Sequence, residues 1–183
     1  MALTATIYRW QVDLSDVDRA VYEKLDLRLA RHPSESMRYL VTRALAYCLS
    51  YEEGIEFSKG GVSSTDEPPV SVRDATGLMT AWIDVGSPSV ERIHKAAKAC
   101  PRVRLFTTQE LTLLRRAAEA GEIHRAHAVE VCSFEPSFIE ALEALLDRQS
   151  DLTLTVTDGL LFVGVGAASL EAALERSTLV TLQ

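Results

Sequence analysis

The segment from Leu78 to Lys98, LMTAWIDVGSPSVERIHKAAK, admits few conformations other than strand, turn and helix. Leu78 to Val85 mixes apolar and β-branched residues, as a buried strand does, and one acid, Asp84, stands at its carboxyl end. Gly86-Ser87-Pro88 breaks the strand. Ser87 or Ser89 can cap the helix that follows, and Pro88 suits its first turn. On that helix Val90, Ile93, Ala97 and Cys100 form an apolar stripe, while Glu91, Lys95 and Lys98 fall on a different face. Open α/β sheets place ligands beyond the carboxyl ends of their strands. Asp84 occupies such a place, and one or both lysines can reach back toward it.

The rest of the chain continues this alternation. Residues 2–14 read as a strand with Leu3, Ala5, Ile7 and Val12 as apolar points. Leu25, Leu27 and Leu29 alternate with Asp26 and Arg28 at strand period; a helix over Val21 to Leu29 can also be drawn, but a strand pairing with the first fits better. His32-Pro33-Ser34-Glu35 opens a helix that runs to about Tyr51, with Ser34 as cap and Glu35 in the first turn. Ile55 to Phe57 is a short strand. Ser58 to Ser71 is a loop rich in Gly, Ser, Asp and Pro that contains Asp66-Glu67-Pro68. Val103 to Thr107 and Ala126 to Cys132 read as strands, about Gln109 to Ala120 and Pro136 to Leu146 as helices, and Gly121 stops the first of these helices. Asp158-Gly159, between Leu152–Thr157 and Leu160–Val165, is a strong hairpin signal. Ser169 to Glu175 is a short amphipathic piece. The pattern predicts a single α/β domain over residues 1–183, with β-hairpins at both ends.

Composition excludes several classes. No apolar run approaches the roughly 20 residues of a membrane helix, so no membrane role is expected. Cys48, Cys100 and Cys132 are far apart and form no CxxC pair, which suits buried free thiols in a reducing cytoplasm. The net charge of −7 argues against a surface coated for unspecific nucleic-acid binding. The charge is divided, however. From Phe134 to Glu175 there are eight acids and one base, whereas Arg92 to Arg104 holds five bases and no acid.

Three acids stand where a fold can gather them: Glu35 at a helix start, Asp66 with its neighbour Glu67 on the long loop, and Asp84 at a strand end. Carboxylates are the ligands of a hard divalent ion such as Mg²⁺ or Mn²⁺, which activates water and stabilises charge on a phosphate oxygen. Lys95 nearby would orient the attacking water or offset the developing charge. Each residue also has a plainer role: Glu35 facing a helix dipole, Asp66 and Glu67 solvating a loop, Asp84 capping a turn, Lys98 as a solvated helix lysine. His124 and His127 are poorly spaced for a shared metal on a strand. Ser34 and His32 are too close in sequence to make a persuasive nucleophile and base.

Several stretches together resemble the YaeQ proteins of bacteria: ALTATIY at the start, LARHPSE at 29–35, EFSKG at 56–60, DEP at 66–68, WIDVGSP at 82–88, RIHKA at 92–96 and TLTVTDG at 153–159. The likeness spans nearly the whole chain and is thin between about 108 and 150. It implies a variant of the PD-(D/E)XK restriction-endonuclease-like fold: a mixed central β-sheet flanked by helices. It also implies a site with Glu35 as the helix acid, Asp66 or Glu67 as the second and Asp84 as the third. Gly86 stands where the usual pattern has lysine, so Lys95, within the RIHKA match, is the substitute. Arg38 and Tyr39 also depart from the family, which tends to carry an acid and an arginine there. Two functions follow as expectations. One is divalent-metal-dependent phosphodiester hydrolysis of nucleic acid. The other is a catalytically inactive module of the same fold that binds a protein partner through its acidic carboxyl-terminal half.

Overall fold

The computed structural model describes residues 4–59 and 66–180. Residues 2–3 of the expected first strand and 60–65 of the expected loop lie outside the described residues. In chain order the elements are β1 (Thr6–Asp16), β2 (Val21–Arg31), α1 (Met37–Leu49), β3 (Ile55–Phe57), β4 (Val70–Arg73), β5 (Met79–Val85), α2 (Val90–Ala99), β6 (Arg102–Thr107), α3 (Thr112–Glu119), β7 (Val129–Ser133), α4 (Pro136–Leu145), β8 (Gln149–Thr157), β9 (Leu160–Val165), β10 (Ala168–Ala173) and β11 (Glu175–Thr178). They form two compact units, each discontinuous in sequence. One holds residues 1–51 and 134–174, the other 52–133 and 175–183. Each has its own mixed sheet, so the expected central sheet is two sheets, with helices packed on them.

The first unit has a five-stranded sheet in the order β10-β9-β8-β1-β2. The two expected hairpins are both in it. β1 and β2 pair antiparallel from Thr6↔Arg31 to Asp16↔Val21, and β1 then pairs in parallel with β8 from Arg9↔Gln149 to Asp16↔Val156. The strict alternation in β2 buries Leu25, Leu27 and Leu29 on the face that also carries Trp10, Val12 and Leu14 from β1 and Leu152, Leu154 and Val156 from β8. A one-residue slip would turn all of them to water, which fixes the register. Trp10, Leu27 and Leu154 share one small apolar gap with Val41 of α1 and Leu142 of α4, the two helices that cover this face. Asp158 (φ 52°) and Gly159 (φ 73°) are both left-handed, as a type I′ turn requires. Asp18 grips that turn, its carboxylate accepting the N–H groups of Asp158 at 2.7 Å and Gly159 at 2.9 Å.

The second unit has a six-stranded sheet in the order β11-β7-β6-β5-β4-β3, in which β5, β6 and β7 run parallel. The parallel strands are joined by α2 and α3, as crossover connections must be. Trp82, Val103, Leu105, Val129 and Val131 from the strands bury against Ile93, Ala96 and Ala97 of α2 and Leu114, Ala117 and Ala118 of α3. Ser89 caps α2, its hydroxyl accepting the Arg92 N–H at 3.2 Å.

Several boundaries differ from the sequence reading. The long loop ends at Pro69, because Val70 and Val72 alternate with Ser71 and Arg73 and form β4. Residues 126–128 are a 3-10 turn ahead of β7. Ser169–Glu175 is an edge strand and the start of another, its amphipathic look being period two, not helical. Pro88 lies before the cap of α2, since Ser89 takes that position. Ile93 is 0% exposed at the centre of the second core. Ile93→Ala should therefore destabilise the chain by about 2–5 kcal/mol, read as a lowered urea midpoint with an unchanged slope.

Candidate functional site

β5 carries Trp82 and Asp84 on one face, because side chains two apart on a strand point the same way. The Trp82 indole Nε1–H donates to Asp84 Oδ2 at 3.0 Å, and the Val85 N–H donates to Oδ1 at 3.1 Å. The carboxylate is 3% exposed and has a counter-ion. Arg92, in the first turn of α2, brings its Nε to Asp84 Oδ2 at 2.6 Å. The same guanidinium lies 5.3 Å from the centre of the Trp82 ring and donates through Nη2 to the Glu67 carbonyl at 3.0 Å. Arg92 thus ties the strand end to the Asp66-Glu67 segment.

One turn further along α2, Lys95 Nζ reaches Asp66 Oδ1 at 2.6 Å. This bond and the charge of Lys95 hold the Asp66 carboxyl below its ordinary range. The Glu67 carboxylate turns the other way and accepts from the Ser58 hydroxyl at 3.3 Å. Of the two loop acids, then, Asp66 is the one that faces α2. The base at Asp84 is Arg92 rather than a lysine, because residue 92 is in the turn nearest the strand end. Lys98 forms no ion pair among the described residues. The sequence reading missed Arg92 and Trp82. The signals were there: an aromatic donor two residues before the acid, and a cation four residues after the second break residue, Pro88.

Glu35 belongs to the first unit. It lies outside the first turn of α1, since His32 to Glu35 closes a turn of its own (Glu35 N–H to His32 O, 2.9 Å) and Ser36, not Ser34, caps the helix. Ser34 is engaged elsewhere, its hydroxyl 2.6 Å from His32 Nδ1 on an exposed turn. Glu35 is buried, with Oε1 at 3.0 Å from Nη2 of the equally buried Arg43. Its Oε2 also accepts the His32 N–H at 3.2 Å, and Arg43 donates to the Ala30 carbonyl at 3.0 Å. Burial pushes the Glu35 carboxyl above its ordinary value of 4.5, outweighing the opposing pull of Arg43.

The oxygens of Asp66 and Asp84 suit a hard cation, which takes one or two carboxylates and keeps several waters. Among the described residues no three His, Cys, Asp or Glu side chains gather as a metal cluster. Glu35, Asp66 and Asp84 each already hold a cationic partner, so a metal ion fits there only where such a partner withdraws. Apart from Lys98, the basic run from Arg92 to Arg104 is neutralised in the same way. Arg102 pairs with Glu52 at 2.9 Å and Arg104 with Glu130 at 2.8 Å, alongside the two pairs of α2. The three cysteines are free and buried, and burial raises the thiols of Cys132 and Cys48 to about 11 and about 12. No helix among the described residues is long and apolar enough to cross a membrane.

The family profile described as YaeQ protein matches residues 1–174. The YaeQ protein of Escherichia coli (strain K12) is 31% identical over 180 residues, covering 95% of this chain and 96% of that protein. The crystal structure of the YaeQ protein from Xanthomonas axonopodis pv. citri superposes with a TM-score of 0.84 at 30% identity, covering 96% of this chain and 98% of its own. That of the YaeQ protein from Pseudomonas syringae gives a TM-score of 0.84 at 26% identity, with 97% of each chain covered.

The buried pair in the first unit makes a pH-dependent prediction. Arg43→Met leaves the Glu35 carboxylate buried without its counter-charge and should cost about 3–5 kcal/mol near neutral pH. The folded-state pKa of Glu35 lies above the unfolded one, so the stability tied to its proton is complete at low pH and lost as pH rises. The deficit of the variant should therefore shrink as the pH is lowered toward 4.5. Urea unfolding across pH 4.5–8 reads it, and a deficit constant with pH would remove Glu35 as its cause.

Proposed function

This chain belongs to the YaeQ protein family, and on that premise we propose that it is a divalent-metal-dependent phosphodiesterase acting on nucleic acid, built on a variant of the PD-(D/E)XK fold. The observation that carries this reading is local. Two acids far apart in sequence, Asp66 and Asp84, meet two cations one turn apart on α2, Lys95 and Arg92, at the carboxyl end of a parallel strand. Acids that hold a metal beside cations that hold phosphate are what phosphodiester hydrolysis needs.

In this reading Asp66 and Asp84, with Glu67 beside Asp66 on the loop, would hold Mg²⁺ or Mn²⁺. Such an ion would supply a nucleophilic water at neutral pH and offset the charge that develops on the phosphate oxygens. Lys95, the more exposed of the two cations, orients the water for in-line attack on phosphorus. The water oxygen would bond to phosphorus as the bond to the leaving sugar oxygen breaks, and the proton that the water gives up would end on that sugar oxygen. Trp82 holds the Asp84 carboxylate in place through its indole N–H. The buried free thiols support a reducing, cytoplasmic setting.

A second reading rests on a different observation, the pairing of Glu35, Asp66 and Asp84 each with a base. It makes the chain a non-catalytic module of the same fold that binds a protein partner. The acids are then structural. The first unit, with thirteen acids against eight Lys or Arg, offers the acidic surface for such a partner.

Calorimetric titration with Mn²⁺, together with cleavage assays on single- and double-stranded DNA and RNA, separates the two. The hydrolase reading expects saturable Mn²⁺ binding and Mn²⁺-dependent cleavage, both abolished in Asp84→Asn while the melting transition stays cooperative. Cleavage that is absent with every substrate, or that survives in Asp84→Asn, would leave the binding module.

A further inference from the structure

The sheet of the first unit ends on β2, the outermost strand beyond β1. β2 has 11 residues and no proline, and it pairs with β1 without a bulge from Thr6↔Arg31 to Asp16↔Val21. The direction of its backbone groups follows from its neighbours. The Arg9 N–H donates to the Arg148 carbonyl, ahead of β8, at 2.8 Å, so Arg9, Gln11 and Asp13 direct their backbone groups to β8. Trp10, Val12 and Leu14 then exchange bonds with Leu27, Leu25 and Glu23. That leaves the N–H and C=O groups of Lys24, Asp26, Arg28 and Ala30 directed away from the sheet. The Ala30 carbonyl agrees, since Arg43 of α1 donates to it at 3.0 Å. A row of unpaired backbone groups on a long, regular edge is a template for another strand.

The side chains of β2 are unmatched as well. Among the described residues Glu23, Lys24, Asp26 and Arg28 make no ion pair, whereas Arg73, Arg102 and Arg104 on other strands are each paired. Arg28 even stands directly opposite Arg9 of β1, and like charges so placed are unfavourable. A second β2, antiparallel and related by a two-fold axis at Leu27, answers each of these. Asp26 then stands opposite Arg28 of the second copy, and Arg28 opposite its Asp26. On the inner face Leu25 meets Leu29, and Glu23 meets Arg31, which its Nε bond to the Glu35 carbonyl at 2.9 Å holds in place. The Asp26–Arg28 and Lys24–Ala30 pairs are also the ones whose backbone groups point outward. Other registers fit worse. An axis at Asp26 sets Asp26 against Asp26 and Lys24 against Arg28. An axis at Leu25 puts Glu23 against Leu27 and leaves Arg28 without an acid. An axis between two residues would turn the apolar row of one copy to the outer face of the other.

From this register we infer that two copies of the chain associate through β2, edge to edge and antiparallel about Leu27, so that their five-stranded sheets join into one. A second copy fits better than an unrelated strand because β2 is complementary to itself: on each face an acid on one side of Leu27 is balanced by a base on the other. The contact is isologous, the same patch on both copies, and it closes at two. Leu25, Leu27 and Leu29 are already buried against the first unit's own core, so the joined strands gain backbone hydrogen bonds and ion pairs more than apolar area. Association of that kind weakens as salt screens the charged pairs. It is independent of the function proposed above and uses none of the residues placed there.

Analytical ultracentrifugation of the full-length chain over a dilution series tests the pairing. The wild type should pass from its monomer mass of 20.1 kDa to twice that mass as concentration rises. Asp26→Arg and Arg28→Asp each set like charges opposite one another at two places in the interface, and each should weaken association about tenfold. The two changes move the net charge in opposite directions, so a general charge effect does not weaken both. Asp26→Arg combined with Arg28→Asp exchanges the members of each pair at constant net charge and should return the affinity to near that of the wild type. Both positions are exposed, and each variant is first shown to melt cooperatively. A wild type that stays monomeric at every concentration would overturn the inference. So would a single variant that dimerises as tightly as the wild type, or a double variant as weak as the singles, since either result moves the contact away from the Asp26–Arg28 register.

Discussion

The Asp84 carboxylate is the constraint around which the second unit is arranged. A charge at the buried end of a parallel strand is tolerated only when it is paired and hydrogen-bonded. Asp84 meets that condition through three groups drawn from three levels of structure. The Val85 N–H comes from its own backbone, the Trp82 indole from its own strand face, and the Arg92 guanidinium from the next helix. The last is available only because Ser89 starts α2 three residues earlier, which places residue 92 in the first turn. Loss of that cap would misplace the arginine as well as fray the helix. A short motif, acid, valine, glycine, serine, proline, serine, therefore serves both chain reversal and charge compensation.

Glu35–Arg43 in the first unit and Asp84–Arg92 in the second are both carboxylate–arginine pairs with a buried acid, and the two differ in character. Glu35 and Arg43 are both enclosed, and Arg43 is also bound to the Ala30 carbonyl, so their pair works as a fastening between the end of β2 and α1. Arg92, by contrast, is partly open to water and divides its donors between a side chain and a loop carbonyl. The enclosed pair gains nothing by exchange, since no solvent route brings a substitute. The open one sits among exposed partners that can replace it. The contrast is one of access: water reaches the arginine of one pair and not that of the other.

Much of the architecture was legible in the residues. The period-two pattern of Leu25, Leu27 and Leu29 marked a strand against the competing helix, and Asp158-Gly159 marked its hairpin, because both signals are local and carry their own geometry. Asp66, Asp84 and Lys95 were picked out by type and position, and the structure brings all three to α2. What escaped the reading was non-local. Nothing near Thr6 to Asp16 says that β1 pairs in parallel with β8, so one central sheet was expected where there are two. The pairing of Arg92 with Asp84 escaped for a related reason: two cations on one helix compete for two acids, and which takes which depends on the turn of α2 relative to the strand end. The family likeness pointed to Lys95 as the substitute for the missing in-strand lysine and had no means of showing that an arginine stands nearer.

The parallel pairing of β1 with β8 bears on how the chain is made. The amino-terminal hairpin, complete at Arg31, acquires its inner neighbour only from Gln149 onward, 118 residues later. At roughly 5–20 residues per second that is on the order of ten seconds or more on the ribosome. Throughout that interval the hairpin presents Trp10, Leu14 and Leu27 on one face and an unsatisfied strand edge on the other side of β1. A nascent chain in this condition is a natural client for whatever shields hydrophobic strands during translation. It also means that a truncation anywhere before residue 149 yields a first unit that cannot close its sheet.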